Sequence, residues 1–363
     1  MKKILCILIG IFLLVGSAGC TNDTMTFISE NSEGDRTNYV VRKEPKLILR
    51  IKENEMEKPD KTNNIFSSSL VFFDINKIWK LLMVNSSSFN REDYSDASVL
   101  EGTEETITLV NPGLLTYSTE HFDKKLYEIY ASLYGGKEGF AIQDYDNSIN
   151  LAFSEETKVI QDTEELLRKI GIDNCRCTSI AAISFEEEEK IAKELVKRGL
   201  IDGENTKATH MYNAKEEMYI LKFRKFVGDI PIAQITHGNP DDDTFVMGCA
   251  VDCVVTSEGI EYLNVDSAYM LRDQKEAVKI ISYEEALKTV VNKYDQMIMN
   301  NDVIVDNAYI NYVPIIEDKR KNVYSLTPCW IFDAHEEVIN ADGTVFSNDV
   351  HVIVNGLNGM EVI

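Results

Sequence analysis

The chain of 363 residues has few of the residues on which enzymes and metal sites depend, beginning with histidine. Its five histidines are His121, His210, His237, His335 and His351. None lies in an HExxH zinc motif, and the chain also lacks the GxSxG, Walker and GxGxxG motifs of hydrolases, nucleotide-binding and dinucleotide-binding enzymes. His335 precedes Glu336 and Glu337 after a predicted strand, which favours a solvated strand end over a metal site. We therefore expect no catalytic residue and no cofactor.

Basic residues are also scarce. The chain has 37 lysines and arginines against 60 aspartates and glutamates, a formal net charge of −23. Such an excess of negative charge disfavours binding to nucleic acid and docking of the body onto anionic lipid, since both partners are themselves negative. The sequence therefore predicts no nucleic-acid partner.

Long hydrophobic runs are absent except at the N-terminus. There, Lys2 and Lys3 precede an apolar segment, Ile4–Val15, which is too short to span a bilayer and is followed by the small residues Gly16–Gly19 and by Cys20. This arrangement resembles the lipobox of bacterial lipoproteins, which implies a cleaved signal peptide over residues 1–19 and a lipid on Cys20. Two acyl chains give stable anchoring, because each buried methylene contributes about 0.8 kcal/mol.

The alternative is an ordinary secretory signal that ends near a cysteine. Both interpretations place the mature chain outside the cytoplasm, and the lipobox places it on the cell membrane. Loss of Lys2 and Lys3 leaves 35 basic against 60 acidic residues, a net charge of −25, which suits a body that stands off the membrane surface.

The cysteines do not form a recognisable disulfide framework. Removal of the signal and lipidation of Cys20 leave an odd number, Cys175, Cys177, Cys249, Cys253 and Cys329, which cannot all pair within one chain. Cys249 and Cys253 share a face of one predicted strand about 13 Å apart, too far for a disulfide. We expect both, and Cys329, to be buried thiols, and Cys175 and Cys177 to lie in a surface loop.

Local patterns divide the chain into a tether and three α+β regions. Residues 20–45 are polar and predict a flexible tether, and residues 46–155 mix short helices and strands. A helix followed by a strand meander then occurs over residues 156–275 and again over residues 276–363. The predicted fold class is α+β, with repeated units of a helix packed on an antiparallel β-sheet after a smaller N-terminal α+β region.

Several short signals predict where helices and turns begin. Asp74 is suited to cap a helix, and Asn111–Gly113 predicts a turn between two strands. Asp162, Ser184 and Ser282 each precede a glutamate by three residues, the spacing of a capping box at a helix start.

The second half of the chain carries a resemblance to a known group of proteins. It lies in the order and spacing of KFRKFVGDIPIAQI, VDCVVTSEGIEYLNVDSAYM, ISYEEALKTV, AYINYVPI, YSLTPCWIFD and ADGTVF. Over about 156–363 this order resembles PepSY-type domains and the extracytoplasmic YycH/YycI regulatory proteins, and is similar to uncharacterised lipoproteins of Firmicutes. The resemblance implies a module that binds another protein outside the membrane, without a catalytic constellation. YycH and YycI carry a transmembrane anchor where this chain has a lipid signal, so the resemblance does not extend to kinase control.

One acidic run has part of the spacing of a calcium-binding loop. Asp144, Asp146, Ser148 and Glu155 occupy positions 1, 3, 5 and 12 of an EF-hand-like pattern. Ile149 stands where the sharp turn of that loop needs glycine, and the residues after it predict a strand, so we expect no metal here. A second cluster, Asp241–Asp243, predicts a solvated hairpin tip.

Three functional hypotheses follow. The first is a membrane-anchored, non-catalytic binding or regulatory module for an envelope protein or peptide. The alternative is a solute-binding lipoprotein of a transporter, which two parallel-sheet lobes around a cleft would support. The third is an enzyme of the cell envelope, which a buried pocket uniting a histidine with two carboxylates from distant segments would support.

Overall fold

The computed structural model describes residues 28–30, 38–43, 46–51, 63–134, 142–145, 149–199, 217–241, 243–339 and 345–363. Within these residues the chain has an α+β fold, which confirms the predicted class. The predicted signal peptide, Cys20, His210, Asp146 and Ser148 lie outside the described residues. None of the helices in the described part of the chain is both long and apolar enough to span a bilayer.

The strands and helices alternate in blocks along the chain. The described strands are β1 (Ile28–Glu30), β2 (Asn38–Lys43), β3 (Lys46–Leu49), β4 (Asn63–Leu70), β5 (Asn90–Asp93), β6 (Ser98–Glu101), β7 (Glu105–Val110), β8 (Leu114–Thr119), β9 (Cys175–Ile183), β10 (Met218–Val227), β11 (Ile230–Pro231), β12 (Ala250–Thr256), β13 (Gly259–Asp266), β14 (Tyr269–Val278), β15 (Val303–Asp318), β16 (Val323–Ile339) and β17 (Val345–Asn355). The α-helices are α1 (Ile75–Leu82), α2 (Tyr127–Tyr134), α3 (Glu156–Ile170), α4 (Phe185–Lys197) and α5 (Tyr283–Gln296). A π-helical turn, Phe122–Leu126, leads into α2, and 3₁₀ turns cover Ile142–Tyr145 and Lys319–Lys321.

These strands form two sheets. Sheet I has the order β1-β2-β3-β15-β16-β4-β14. Strand β4 pairs with β16 at residues 324–326, and β17 pairs with β16 further along, at residues 329–339. Sheet II has the order β11-β10-β12-β13-β8-β7-β6-β5. Strand β9 pairs with β10 along the edge opposite β12. Among the described strands, β3 and β15 form the single parallel pair, and every other strand pairing is antiparallel.

Helices cover both faces of sheet II and one face of sheet I. Buried side chains of α1 and α3 pack on one face of sheet II, and those of α2 and α4 pack on the other. Helix α5 covers sheet I through residues such as Val290 and Tyr294, which belong to the same hydrophobic core as Trp330 and Phe332 of β16. The opposite face of sheet I is covered in part by the segment after β11, where Ala233 packs against buried strand residues.

The sheets do not follow the predicted unit boundaries, and the predicted tether, residues 20–45, contains strands β1 and β2 of sheet I. Strand β8 of the predicted region 46–155 pairs with β13 of the predicted unit 156–275, and β14 leaves that unit to pair with β4 in sheet I. The reason is that both pairings join segments far apart in the chain, whereas the sequence pattern reports only local structure. The helix-and-meander repeats are therefore parts of two larger sheets.

The local helix signals have mixed outcomes. Ser184 and Ser282 each form a complete capping box, and Asp74 caps α1 by accepting a hydrogen bond from the Asn76 amide, as predicted. The predicted start at Asp162 is wrong, because α3 already begins at Glu156. Its buried Val159 lies on the same apolar face as Leu167 and Ile170, so that face reaches back beyond Asp162.

The cysteine environments also differ in part from expectation. All five cysteines described are free, and Cys249, Cys253 and Cys329 are buried, as predicted. However, Cys249 lies before β12 rather than in it, and it packs in a different core from Cys253. The predicted surface loop at Cys175–Cys177 is wrong: these residues begin β9, and Cys175 is buried.

Candidate functional site

A cleft of about 470 Å³ opens at one end of sheet II. It lies where the C-terminal end of α1, the β7–β8 pair and the turn between β12 and β13 meet. Its lining residues are Leu81, Leu82, Val84, Asn85, Glu104, Glu105, Tyr117, Thr119, His121, Glu258, Gly259, Ile260 and Glu261. This volume falls within the range of about 300–1,000 Å³ that is typical of small-ligand sites.

Strand register brings the polar residues of the cleft together. Glu105 of β7 lies opposite Thr119 of β8, and the register of β8 with β13 pairs Ser118 with Tyr262. Glu261, the residue before Tyr262, consequently reaches Thr119 from the other side. Both glutamates occupy buried positions of strands in which buried residues alternate with partly exposed ones, so their side chains point toward the interior of the domain.

The carboxylate of Glu105 is held by two hydroxyl groups. Its Oε2 accepts a hydrogen bond from Ser86 Oγ at 2.7 Å, and its Oε1 accepts one from the Tyr117 hydroxyl at 3.1 Å. Burial, followed by the nearby Glu105 carboxylate, raises the pKa of Tyr117 far above its usual value, so Tyr117 stays a donor. Glu105 is only 3% exposed and has no cation among these partners.

The carboxylate of Glu261 is also buried and also held by hydroxyl groups. Its Oε1 accepts a hydrogen bond from Thr256 Oγ1 at 2.9 Å and lies 3.1 Å from His121 Nδ1, and its Oε2 accepts one from Thr119 Oγ1. Burial acts to raise the pKa of Glu261, but the hydrogen bonds from His121, Thr119 and Thr256 outweigh it and hold that pKa below its usual value. Glu261 therefore carries its negative charge at neutral pH.

Thr119 links the cleft to the helix behind it. Its hydroxyl oxygen accepts a hydrogen bond from the Phe122 amide at 3.0 Å while donating to Glu261. It thereby satisfies an amide at the start of the helical segment that leads into α2. The position of Glu261 is thus tied to the placement of that segment.

The other wall of the cleft is apolar. Leu81 and Leu82 come from α1, Val84 follows that helix, and Ile260 comes from the start of β13. Val84 is 72% exposed at the rim of the cleft. The cleft therefore combines an apolar wall with a floor of hydroxyl and carboxylate groups, the composition expected of a site for an amphipathic ligand.

Of the predicted candidate residues that the structure describes, only His121 lies in the cleft. His335 contacts Asp306, His351 contacts Asp333, and the Nε2 atom of His237 contacts the carbonyl oxygen of Pro314. These histidines are thus spread over sheet I and the segment that covers it. His335 is part of β16 rather than a strand end, and its side chain is only 20% exposed.

The EF-hand-like run does not form a described metal site. Asp144 is exposed in a 3₁₀ turn and Glu155 is the N-cap residue of α3, while Asp146 and Ser148 lie outside the described residues. The predicted strand at residues 151–153 is wrong, since these residues form a turn closed by a bridge between Leu151 and Ser154. Within the described ranges, no group of three histidine, cysteine or acidic side chains is placed to hold a metal ion.

Sequence reasoning missed Glu105 and Glu261, although a signal for each was present. In ETITLV the alternation that buries Ile107 and Leu109 also buries Glu105, and in GIEYLNV the alternation that buries Leu263 also buries Glu261. A carboxylate on the buried side of an amphipathic strand is costly unless it is hydrogen-bonded, so each marks a special position.

Comparisons with known proteins support the fold and carry no functional information. No protein-family model and no curated protein matches the chain. Among solved structures, the fold is similar to that of an uncharacterized protein from Eubacterium rectale ATCC 33656, with a TM-score of 0.61 and 12% sequence identity. The match covers 90% of this chain and 93% of that one. The two proteins therefore share the α+β architecture over nearly their whole lengths.

Proposed function

We propose that this chain is a lipid-anchored, extracytoplasmic binding module for a protein or peptide partner, and that the cleft of sheet II is its recognition site. The observation that carries the proposal is the combination of an exposed apolar rim at Val84 with the buried, hydrogen-bonded carboxylates of Glu105 and Glu261. Such a site is built before a partner arrives, so little ordering entropy is lost when binding occurs.

The N-terminal sequence supports the anchoring part of the proposal. The basic Lys2 and Lys3, the apolar run and the small residues before Cys20 are the features that a lipoprotein signal needs. In this proposal the mature chain begins at Cys20, and the negatively charged body extends away from the outer face of the membrane.

The arrangement of strands favours a binding module over a transporter-type solute receptor. Solute receptors of that class generally use two lobes with parallel strands, whereas the described sheets are antiparallel except for the β3–β15 pair. The cleft also lies at the end of one sheet rather than between two lobes.

A second candidate is an envelope enzyme, because the cleft unites His121 with carboxylates from distant segments, the feature named above as support for that class. It ranks lower because both oxygens of Glu105 and of Glu261 already accept hydrogen bonds from side chains of the domain. A general acid or base must instead exchange its proton with a bound substrate.

Site-specific photocrosslinking in intact cells tests the recognition site. A photoreactive residue at Val84, on the cleft rim, is expected to capture one reproducible partner. The same residue at Ile298, which is 93% exposed and follows α5, serves as the control. Equal capture at both positions, or none at Val84, would contradict the proposed site.

Mass spectrometry of the membrane fraction tests the anchor. The expected N-terminal peptide begins at Cys20 and carries a diacylglyceryl group, and Cys20→Ala is expected to leave the precursor unprocessed. A bare thiol on residue 20 in the mature protein would contradict lipid anchoring while leaving the cleft proposal intact.

A further inference from the structure

The charges lining the cleft are one-sided. The lining residues include Glu104, Glu105, Glu258 and Glu261, and they include no lysine and no arginine. Glu104 and Glu258 are exposed at the rim, whereas Glu105 and Glu261 are buried below it. His121 is the one basic side chain in this lining.

Hydroxyl groups hold both buried carboxylates, and His121 is the one basic side chain in the lining that contacts either of them. Ser86 and Tyr117 hold Glu105, and Thr119 and Thr256 hold Glu261 together with His121. Hydroxyl groups stabilise a carboxylate through hydrogen bonds but leave its charge in place. No lysine or arginine of the lining lies opposite these side chains, and the low dielectric of the surrounding core screens the charge of Glu261 less than water would.

The apolar wall adds a second requirement. A small inorganic cation would satisfy the charge and leave Leu81, Val84 and Ile260 without a partner. An apolar ligand without charge would cover those side chains and add no positive group beside the carboxylates. A ligand that fits both the apolar wall and the carboxylate floor has a positive end and an apolar stem.

We propose that the cleft receives an alkylammonium group, that is, a primary ammonium carried on an unbranched apolar stem. The proposal rests on the proposed function of the cleft as a recognition site and names the chemistry recognised there. The ammonium lies toward Glu105 and Glu261, and the stem lies along Leu81, Val84 and Ile260. A lysine side chain of a peptide and a free alkylamine share this chemistry.

Ligand-observed NMR with a matched series of probes tests the charge requirement. The full lipidated chain in detergent micelles is titrated with n-pentylamine, n-pentanol and n-pentanoate at pH 7, with empty micelles as the blank. Saturation transfer is expected for pentylamine, weakly for pentanol and not for pentanoate. Equal binding of pentanol, or stronger binding of pentanoate, would overturn the alkylammonium assignment.

Two peptides then distinguish the source of the group. A blocked tripeptide with lysine at its centre is compared with the same peptide carrying norleucine, which keeps the stem and removes the charge. Binding of the lysine peptide but not of the norleucine peptide assigns the cleft to a peptide side chain. Binding of pentylamine without the lysine peptide assigns it to a free amine.

Charge-removing variants locate the binding. Glu261→Gln is expected to weaken pentylamine binding about tenfold or more, because it removes one partner of a buried charge pair. Glu104→Gln and Glu258→Gln, at the exposed rim, are each expected to weaken pentylamine binding about threefold. These two variants provide the test if Glu261→Gln does not fold. Glu165→Gln removes the same charge from the exposed face of α3, outside the cleft, and is expected to leave binding unchanged.

The outcomes separate this inference from the proposed function. Equal weakening by Glu165→Gln would mean that the net charge of the chain, rather than the cleft, attracts the amine, and would overturn the inference. Capture of a partner from Val84 together with no amine binding would refute the alkylammonium assignment alone. Amine binding that depends on Glu261, with no partner captured from Val84, would refute the protein-partner function and leave the assignment standing.

Discussion

The side-chain amide of Asn322 pairs with both main-chain polar groups of Leu70, at 2.9 Å each. Asn322 follows the 3₁₀ turn between β15 and β16, and its φ of 54° is in the left-handed region. Leu70 is the last residue of β4, where the chain leaves sheet I for sheet II. Asn111 holds both main-chain groups of Phe73 in the same way, three residues further along the crossing segment.

We predict that Asn322→Ala lowers the free energy of unfolding by about 2–3 kcal/mol, through the loss of both hydrogen bonds and the left-handed strain on alanine. Asn322→Gly removes the hydrogen bonds without that strain, so it is expected to cost about 1–2 kcal/mol. Chemical denaturation of the two variants measures the difference. Equal, near-zero losses would show that the amide does not stabilise the crossing.

A second prediction separates a capping box from a sequence that only has its spacing. Ser282 Oγ accepts a hydrogen bond from the Glu285 amide at 3.2 Å, and Glu285 Oε2 accepts one from the Ser282 amide at 3.0 Å. Ser282→Ala is therefore expected to destabilise the protein by about 1 kcal/mol.

Asp162→Ala is the matched control for that change. Asp162 lies within α3 and pairs with Lys158 on an exposed face, so its loss is expected to cost about 0.5 kcal/mol or less. A larger loss for Asp162→Ala than for Ser282→Ala in thermal unfolding would contradict the assignment of the helix starts.

A third prediction concerns Asp252, a buried residue of β12. Burial raises its pKa to about 6, although Lys222 and a hydrogen bond from Tyr134 act in the opposite direction. A raised carboxyl pKa means that the folded state holds the proton more tightly than the unfolded state does. Stability therefore falls as pH rises from about 4 to about 6 and is then constant with respect to this group.

Asp252→Asn removes this dependence. We expect the variant to be more stable than the natural chain by about 1–3 kcal/mol at pH 7, with a difference close to zero below pH 4. Denaturation midpoints measured across this range provide the test, with Asp229→Asn, at a 92% exposed side chain, as the control. A stabilisation that persists unchanged at pH 3.5 would contradict the titration of Asp252.

A fourth prediction concerns the thiols. Cys177 is partly exposed, whereas burial raises the pKa of Cys249 to about 11 and those of Cys175 and Cys329 to about 12. Because the thiolate is the reactive form, a thiol reagent is expected to label Cys177 in the folded chain and the other four only on unfolding.

Cys177→Ser is expected to abolish the fast phase of labelling. Fast labelling that survives this substitution would contradict the burial of the remaining thiols. In denaturant, a sixth reactive thiol in the mature chain would identify an unmodified Cys20 and contradict the lipid anchor.

The helix starts show which features local sequence can predict. Ser184 and Ser282 could be recognised because each side chain bonds to an amide three residues away, so the whole interaction lies within one turn. Asp162 has the same spacing and no capping role, because the apolar face that holds α3 in the core begins before it. Spacing alone does not report where that apolar face ends.

The candidate site shows the opposite case. Alternation in β7 and β13 indicates that Glu105 and Glu261 face inward, but nothing near either residue indicates that they share a cleft. Their meeting depends on Thr119, which bonds to Glu261 across 142 residues of sequence. Apolar strands offer similar edges to one another, so the choice of partner depends on the packing of the whole domain.

Sequence by itself determined the α+β class, the starts of α4 and α5, the turn at Asn111–Gly113 and the burial of Cys253 and Cys329, because these depend on periodicity and on bonds within a few residues. Only the tertiary structure decided that β14 joins sheet I while β13 stays in sheet II, and that His121 contacts the buried Glu261 in a cleft that Glu105 also lines. Those outcomes depend on which distant strands pair and which faces are buried together, and the free energy of burial depends on the area removed from water rather than on position in the chain.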